Sequence, residues 1–184
     1  MQLDKKTLNY YNELEFYNII RDLLNNPMVQ QMKNFRQHFD SSCYEHCLEV
    51  AYWSYLICKK HNLDYVSAAR AGLLHDLFLY DWRHSKKLLH LKRFHAFEHP
   101  KIALQNALEV CVLNDKEKDI ILKHMWPVTF FSFPKYRESY IITFTDKLSA
   151  LKSFYNYFEN ILIKHRIYRY AYIFFSGFVF NILQ

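Results

Sequence analysis

The chain of 184 residues predicts an all-α fold, a single domain built as a helical bundle, and three observations carry that expectation. Glycine occurs only twice and proline four times, which leaves few sites for the positive-φ turns that β-hairpins prefer. Aromatic residues reach 18%, enough to fill thick layers between helices. At this length a full core can also be buried without disulfide staples.

The elements follow in order. Residues 7–24 form a first helix, and Pro27 opens a second over MVQQMKNFRQHF. Asp40, Ser41 and Ser42 supply caps for a third, from near Tyr44 to near Lys60. Asp64 caps a fourth over residues 65–79. Residues 81–98 are basic and histidine-rich without clean periodicity, so they predict a loop or partial helix. Pro100 suits the first turn of a helix over 100–112. Asn114 and Asp115 open KEKDIILKHMW, which Pro127 ends, and a loop through Pro134 leads to a long helix from Ser139 to His165. The tail over 166–184 is apolar and aromatic, and its run from Tyr170 to Leu183 is shorter than the roughly 20 residues a bilayer core needs. It is expected to pack as helix or strand on the same domain. The organisation is then N-terminal helices over 1–35 packed on the core, a domain over 36–165, and the 166–184 tail.

A formal charge of +6 and a pI near 9.0 permit phosphate-bearing ligands. The basic residues are dispersed, so a nucleic-acid partner is not expected. Cys43, Cys47, Cys58 and Cys111 form no C-x-x-C pair, and Cys47 and Cys58 recur on one helix face as small core residues. No apolar leader opens the sequence, so the expected compartment is the cytoplasm, with no transmembrane span. The aromatic surface admits a homodimer.

One stretch conflicts with a simple buried helix. AARAGLLHDLFLYDWR sets His75 and Asp76 between AGLL and LFLY, where an unpaired charge costs several kcal/mol. The dipeptide carries little weight alone, since with ten histidines chance supplies about half an HD pair. Helix faces carry more. His46 shares a stripe with Val50, Trp53 and Ile57, and His75 lies over Ala68, Ala71 and Gly72, small residues that let a neighbouring helix approach. His99 precedes Pro100, His124 follows Ile120 by four, and Asp146 shares its face with Ile142, Thr143 and Ser149. A lone inward histidine is more often a hydrogen-bonded core residue than a ligand. Several converging in one apolar core are better explained by a divalent cation, and mixed nitrogen and oxygen donors suit Fe, Mn, Zn, Co or Ni, with Mg admissible. His61, His84, His90 and His165 sit among basic residues and read as surface, while His38 and His95 are intermediate.

The order His, His-Asp, His, His, Asp resembles the HD-domain metal-dependent phosphohydrolases, an all-helical superfamily. The likeness runs through YEHCLEVA, AGLLHD, HAFEHPKIALQNA, ILKHMWP and TFTDKLSAL, roughly residues 36–152. It implies that His46, His75, Asp76 and Asp146 hold a first metal. It further implies that His99 and His124 add a second, with Asp76 bridging, so one or two divalent ions bind per chain. The implied activity is hydrolysis of a phosphate ester, a nucleotide or small phosphorylated metabolite, by metal-activated water attacking phosphorus. Lys147 and Arg83 are the candidates for the substrate phosphate, with Lys123 and Arg70 behind them. Many relatives carry a lysine three or four positions after HD, where this chain has Leu79 and Tyr80, and the Gly-Tyr-Pro signature of the cyclic-dinucleotide phosphodiesterases is absent. The alternative is a catalytically weak metal- and nucleotide-binding sensor.

Overall fold

The computed structural model describes residues 5–38, 41–83 and 95–182, with side chains described over 12–37, 41–83 and 95–164. Seven α-helices and one two-stranded antiparallel sheet make up the described residues. Helix α1, Lys5–Leu24, buries Phe16, Ile20 and Leu23, spaced four and three apart as one helix face requires. The Phe16 ring meets Tyr52 edge-on at 5.1 Å.

Helix α2, Pro27–Gln31, is short. Asn26 caps it by accepting from Met28 N at 2.9 Å, and Pro27 occupies the first turn. The sequence predicts that this helix continues through the following residues. It instead tightens into a 3₁₀ turn over Met32–Asn34 and passes into strand β1, Arg36–His38, paired with β2, Ser41–Ser42. Phe35 turns extended, and its carbonyl accepts from Cys43 N at 2.7 Å, tying the strand pair to the next helix.

Helix α3, Cys43–Lys60, starts at a capping box in which the Ser42 hydroxyl accepts from Glu45 N and the Glu45 carboxylate accepts from Ser42 N. Its buried face holds His46 and Val50 with Cys43, Cys47, Ala51, Ser54 and Cys58, while Trp53 and Ile57 are only half-buried. The inward stripe is therefore centred nearer the cysteines than the His46–Trp53–Ile57 line expected. Helix α4, Tyr65–Leu74, capped by Asp64, packs so tightly on α3 that a Cβ at Gly72 would lie 2.8 Å from Ala51 Cα. It ends at Leu74 rather than near residue 79. Leu77 N donates back to Leu74 O and Phe78 N to Asp76 O, so the chain turns at the His-Asp pair.

Helix α5 spans His95–Val110, so Pro100 is its sixth residue and not part of its opening turn. Residues 95–98 of the predicted loop are helical, and 84–94 lie outside the described residues. Helix α6, Asp115–Lys123, begins at a second capping box built by Asn114 and Glu117. Helix α7, Arg137–Ile182, continues without a break through the predicted boundary at His165 and spans about 69 Å at 1.5 Å per residue. No glycine or proline interrupts it before Gly177, which is the physical reason that the tail forms no separate element. The packing of the tail side chains lies outside the description. Among the described residues no helix is long and apolar enough to cross a membrane.

Candidate metal centre

Five helices deliver six ionisable side chains to one buried point. His46 comes from the first turn of α3, His99 from the second turn of α5, and Asp146 from α7. His75 and His124 are the residues immediately after α4 and α6, both in helical backbone conformation, and Asp76 follows His75 in the turn. Helix ends leave backbone carbonyls without intrahelical donors. The imidazoles use them: His75 Nδ1–H donates to Gly72 O at 2.7 Å, and His124 Nδ1–H to Ile121 O at 2.8 Å. His99 Nδ1–H donates likewise to His95 O at 2.9 Å. All six side chains are buried, Asp146 least at 9% exposure.

The six divide into two groups that could each hold an ion: His46, His75 and Asp146, and Asp76, His99 and His124. Asp76 stands between them. Its Oδ1 is 3.1 Å from His99 Nε2 and 3.3 Å from His124 Nε2, while its Oδ2 lies 3.6 Å from His75 Nε2 and 4.0 Å from His46 Nε2. Gln37 Nε2 donates to Oδ2 from strand β1. Asp146 Oδ1 is 3.1 Å from His46 Nε2 and 3.8 Å from His75 Nε2.

These atoms are poorly served by protein partners alone. His75 Nε2 and Asp76 Oδ1 are buried without a hydrogen bond. His99 Nε2 and His124 Nε2 face each other at 2.8 Å, although both rings already commit their Nδ1 protons to carbonyls. With both Nδ1 protons so placed, the two Nε2 atoms are reconciled only by a second proton on one ring or by a cation between them. Charge tells the same story. Burial works against the His75 cation, but Asp76 and Asp146 more than offset it and hold it up at about 9. Burial also opposes the charge of both carboxylates. The histidines around them nevertheless keep Asp76 and Asp146 well below the usual carboxylate range. Burial, set against the pull of Asp76, leaves His124 lowered and neutral. A divalent ion held by these residues would take the place of the His75 proton and supply the orphaned atoms and the facing His99 and His124 nitrogens with a partner. The donor set fits such an ion.

The other predicted residues fall in different places. Lys147 borders the centre, with Nζ donating to His124 O and Thr143 O at 3.2 and 3.3 Å and lying 3.7 Å from Asp146 Oδ2. Arg83 is exposed and donates to Asp81 from Nε and Nη2, both at 2.9 Å. Lys123 is held by Phe133 O and Asp119, and Arg70 by Asp22, Ile19 O and Glu117, so both serve helix packing. His61 is exposed, whereas the side chains of His38, His84, His90 and His165 lie outside the description. His95 stacks on His99 at 4.5 Å and bonds the Tyr80 hydroxyl at 3.2 Å. Burial and the neighbouring His99 push it down to about 4. Leu79 packs against the core. The sequence places Gln37 on a helix, where nothing in its spacing links it to Asp76. Glu49 stands three residues after His46 and could have been found on the same face.

A polar cavity of about 340 Å³ opens beside His46, lined among others by Glu45, Glu49, Ser149, Lys152 and Asn156. A family model described as HD domain matches residues 43–151, a span that contains all six side chains. No curated protein and no solved structure matches the chain.

Proposed function

The chain belongs to the HD-domain family, and from that premise we propose that it is a metal-dependent phosphohydrolase acting on a small phosphate ester, a nucleotide or similar metabolite. One observation carries the reading. The two oxygens of Asp76 face separate histidine pairs, which suits a carboxylate shared between two ions. His46, His75 and Asp146 would hold the first, His99 and His124 the second. When bound, such ions lower the pKa of water toward 7 and neutralise charge on phosphoryl oxygens.

The protein's own groups do the rest. Asp76 and Asp146 stay ionised because their pKa values are depressed, and so remain acceptors throughout the neutral range. Lys147, partly exposed at the edge of the centre, supplies a cation to the substrate phosphate. Arg83 joins it by exchanging Asp81 for the phosphate. The cavity beside His46 has the size of a small-molecule site and a polar lining, in keeping with a compact polar substrate.

A second reading, a weakly catalytic nucleotide-binding sensor, draws on one feature. Tyr80 stands where many relatives carry lysine, and its hydroxyl is engaged by the neutral His95 rather than offering a charge. The discriminating experiment measures metal by elemental analysis and then hydrolysis of phosphomonoesters, dinucleotides and cyclic nucleotides with Mn, Fe, Co, Ni and Mg. Two ions per chain and turnover abolished by Asp76→Ala are expected. Bound nucleotide without turnover selects the sensor. Full metal content and activity in both His75→Ala and Asp76→Ala would overturn the site.

A further inference from the structure

The four histidines of the centre do not fix their outer nitrogens in the same way. His75, His99 and His124 each give Nδ1–H to a backbone carbonyl. His46 meets a side chain instead, with Nδ1 at 3.2 Å from Ser149 Oγ. The Ser149 hydroxyl donates its single proton to Glu49 Oε2 at 2.6 Å. Its oxygen is therefore left to accept, and His46 Nδ1–H is the donor that meets it. A carboxylate has no proton to return, so Glu49 sets the direction of the chain. Lys152 Nζ donates to the other oxygen, Oε1, and holds the carboxylate in place. The ordered bonds run from His46 to Ser149 to Glu49. They leave Nε2, 3.1 Å from Asp146 Oδ1, as the ring nitrogen that would meet an ion in the first group.

We propose that Glu49, acting through Ser149, is a positioning residue that fixes the tautomer of His46 and with it the affinity of the His46–His75–Asp146 group for its ion. The inference rests on reading that group as a metal site. It makes the two halves of the centre unequal. Both imidazoles of the Asp76–His99–His124 half are oriented by carbonyls that no side-chain change removes, whereas in the other half His46 depends on two side chains outside the ligand set.

Glu49→Gln is the isosteric test. Lys152 must still find an oxygen, so it claims the amide carbonyl and turns the NH₂ toward Ser149. Ser149 then accepts from the amide and donates to His46 Nδ1, and the His46 proton moves to Nε2, where it faces Asp146. Nitrogen-15 spectra of the metal-free chain should show His46 Nδ1 protonated in the wild type and unprotonated in Glu49→Gln. Metal titration should show first-group affinity falling about 10–100-fold, the usual cost of an outer-shell change, with the second group unaffected. Adding Lys152→Met releases the amide to rotate and should restore both readouts. Ser149→Ala, which removes the acceptor altogether, should weaken the same ion by a similar factor.

An unchanged tautomer with unchanged affinity in Glu49→Gln and Ser149→Ala overturns the relay and leaves the metal reading standing. A wild type that binds no ion overturns the metal reading, while the metal-free spectra still decide the relay.

Discussion

Asp76 presents one carboxylate oxygen to His99 and His124 and the other to His75 and His46, so the six side chains are not interchangeable. His99→Ala or His124→Ala should cost one ion per chain, and Asp76→Ala both, read by elemental analysis after dialysis. Equal losses in all three variants would contradict a shared carboxylate. His75 sets the pH behaviour. In the metal-free chain Asp76 and Asp146 hold it up at about 9, above its ordinary value of 6.5. A histidine raised in this way stabilises the fold fully below pH 6.5, and that contribution fades as pH climbs through about 9. Metal binding runs the other way, because the ion must displace the same proton. Affinity should therefore rise about tenfold per pH unit between roughly 7 and 9, with one proton released per first-group ion. Calorimetric titration in buffers of different ionisation enthalpy measures both, and a flat affinity across that range would refute the assignment of His75.

The helices that carry these residues were legible from capping and spacing, because Ser42, Asp64 and Asn114 announce three starts in their own side-chain chemistry. Ends were harder to read. Helix α4 stops at Leu74, where the His75 ring takes the Gly72 carbonyl, a side-chain contact that no propensity or spacing rule announces. The strand pair at Arg36–His38 and Ser41–Ser42 was invisible for the same reason: Gln37 is drawn to Asp76, 39 residues away. Close packing of α3 and α4 was foreseeable from Ala68, Ala71 and Gly72, and it makes a sharp test. Alanine normally favours a helix over glycine by about 0.5–1 kcal/mol. At Gly72 its Cβ meets Ala51 Cα at 2.8 Å and Ile142 Cδ1 at 3.1 Å. Overpacking of this kind costs about 1–3 kcal/mol, so Gly72→Ala should destabilise in urea despite its helix propensity. It should also weaken metal binding, since α3 carries His46 and α7 carries Asp146. On the outer face of α7, Leu151 and Phe158 are half exposed or more. Leu151→Lys and Phe158→Lys should shift stability by no more than about 0.5 kcal/mol. A homodimer through this aromatic face would dissociate in the same variants on sedimentation.

At the scale of the whole molecule the centre is a junction. His46, His75 with Asp76, His99, His124 and Asp146 come from five successive long elements, α3 to α7, and are the points at which all five meet. Without an ion, that junction packs two ionised carboxylates among four imidazoles, with His99 Nε2 and His124 Nε2 only 2.8 Å apart. With ions it becomes a crosslink between segments distant in sequence, so metal should stabilise the global fold and not one loop. The linkage has a size. An ion present at 100 times its dissociation constant adds about 2.7 kcal/mol to unfolding. For a domain of this length each kcal/mol moves the midpoint by about 2–4 °C, so removing one ion should lower it by about 5–11 °C. Thermal unfolding of the protein as purified, after chelation, and after metal is restored gives the comparison. The drop should be reversible and larger for wild type than for His124→Ala, which has only one ion to lose. In Asp76→Ala it should vanish. A chelated wild type that unfolds at the same temperature as the metal-loaded protein would mean that the six side chains meet for some reason other than a metal.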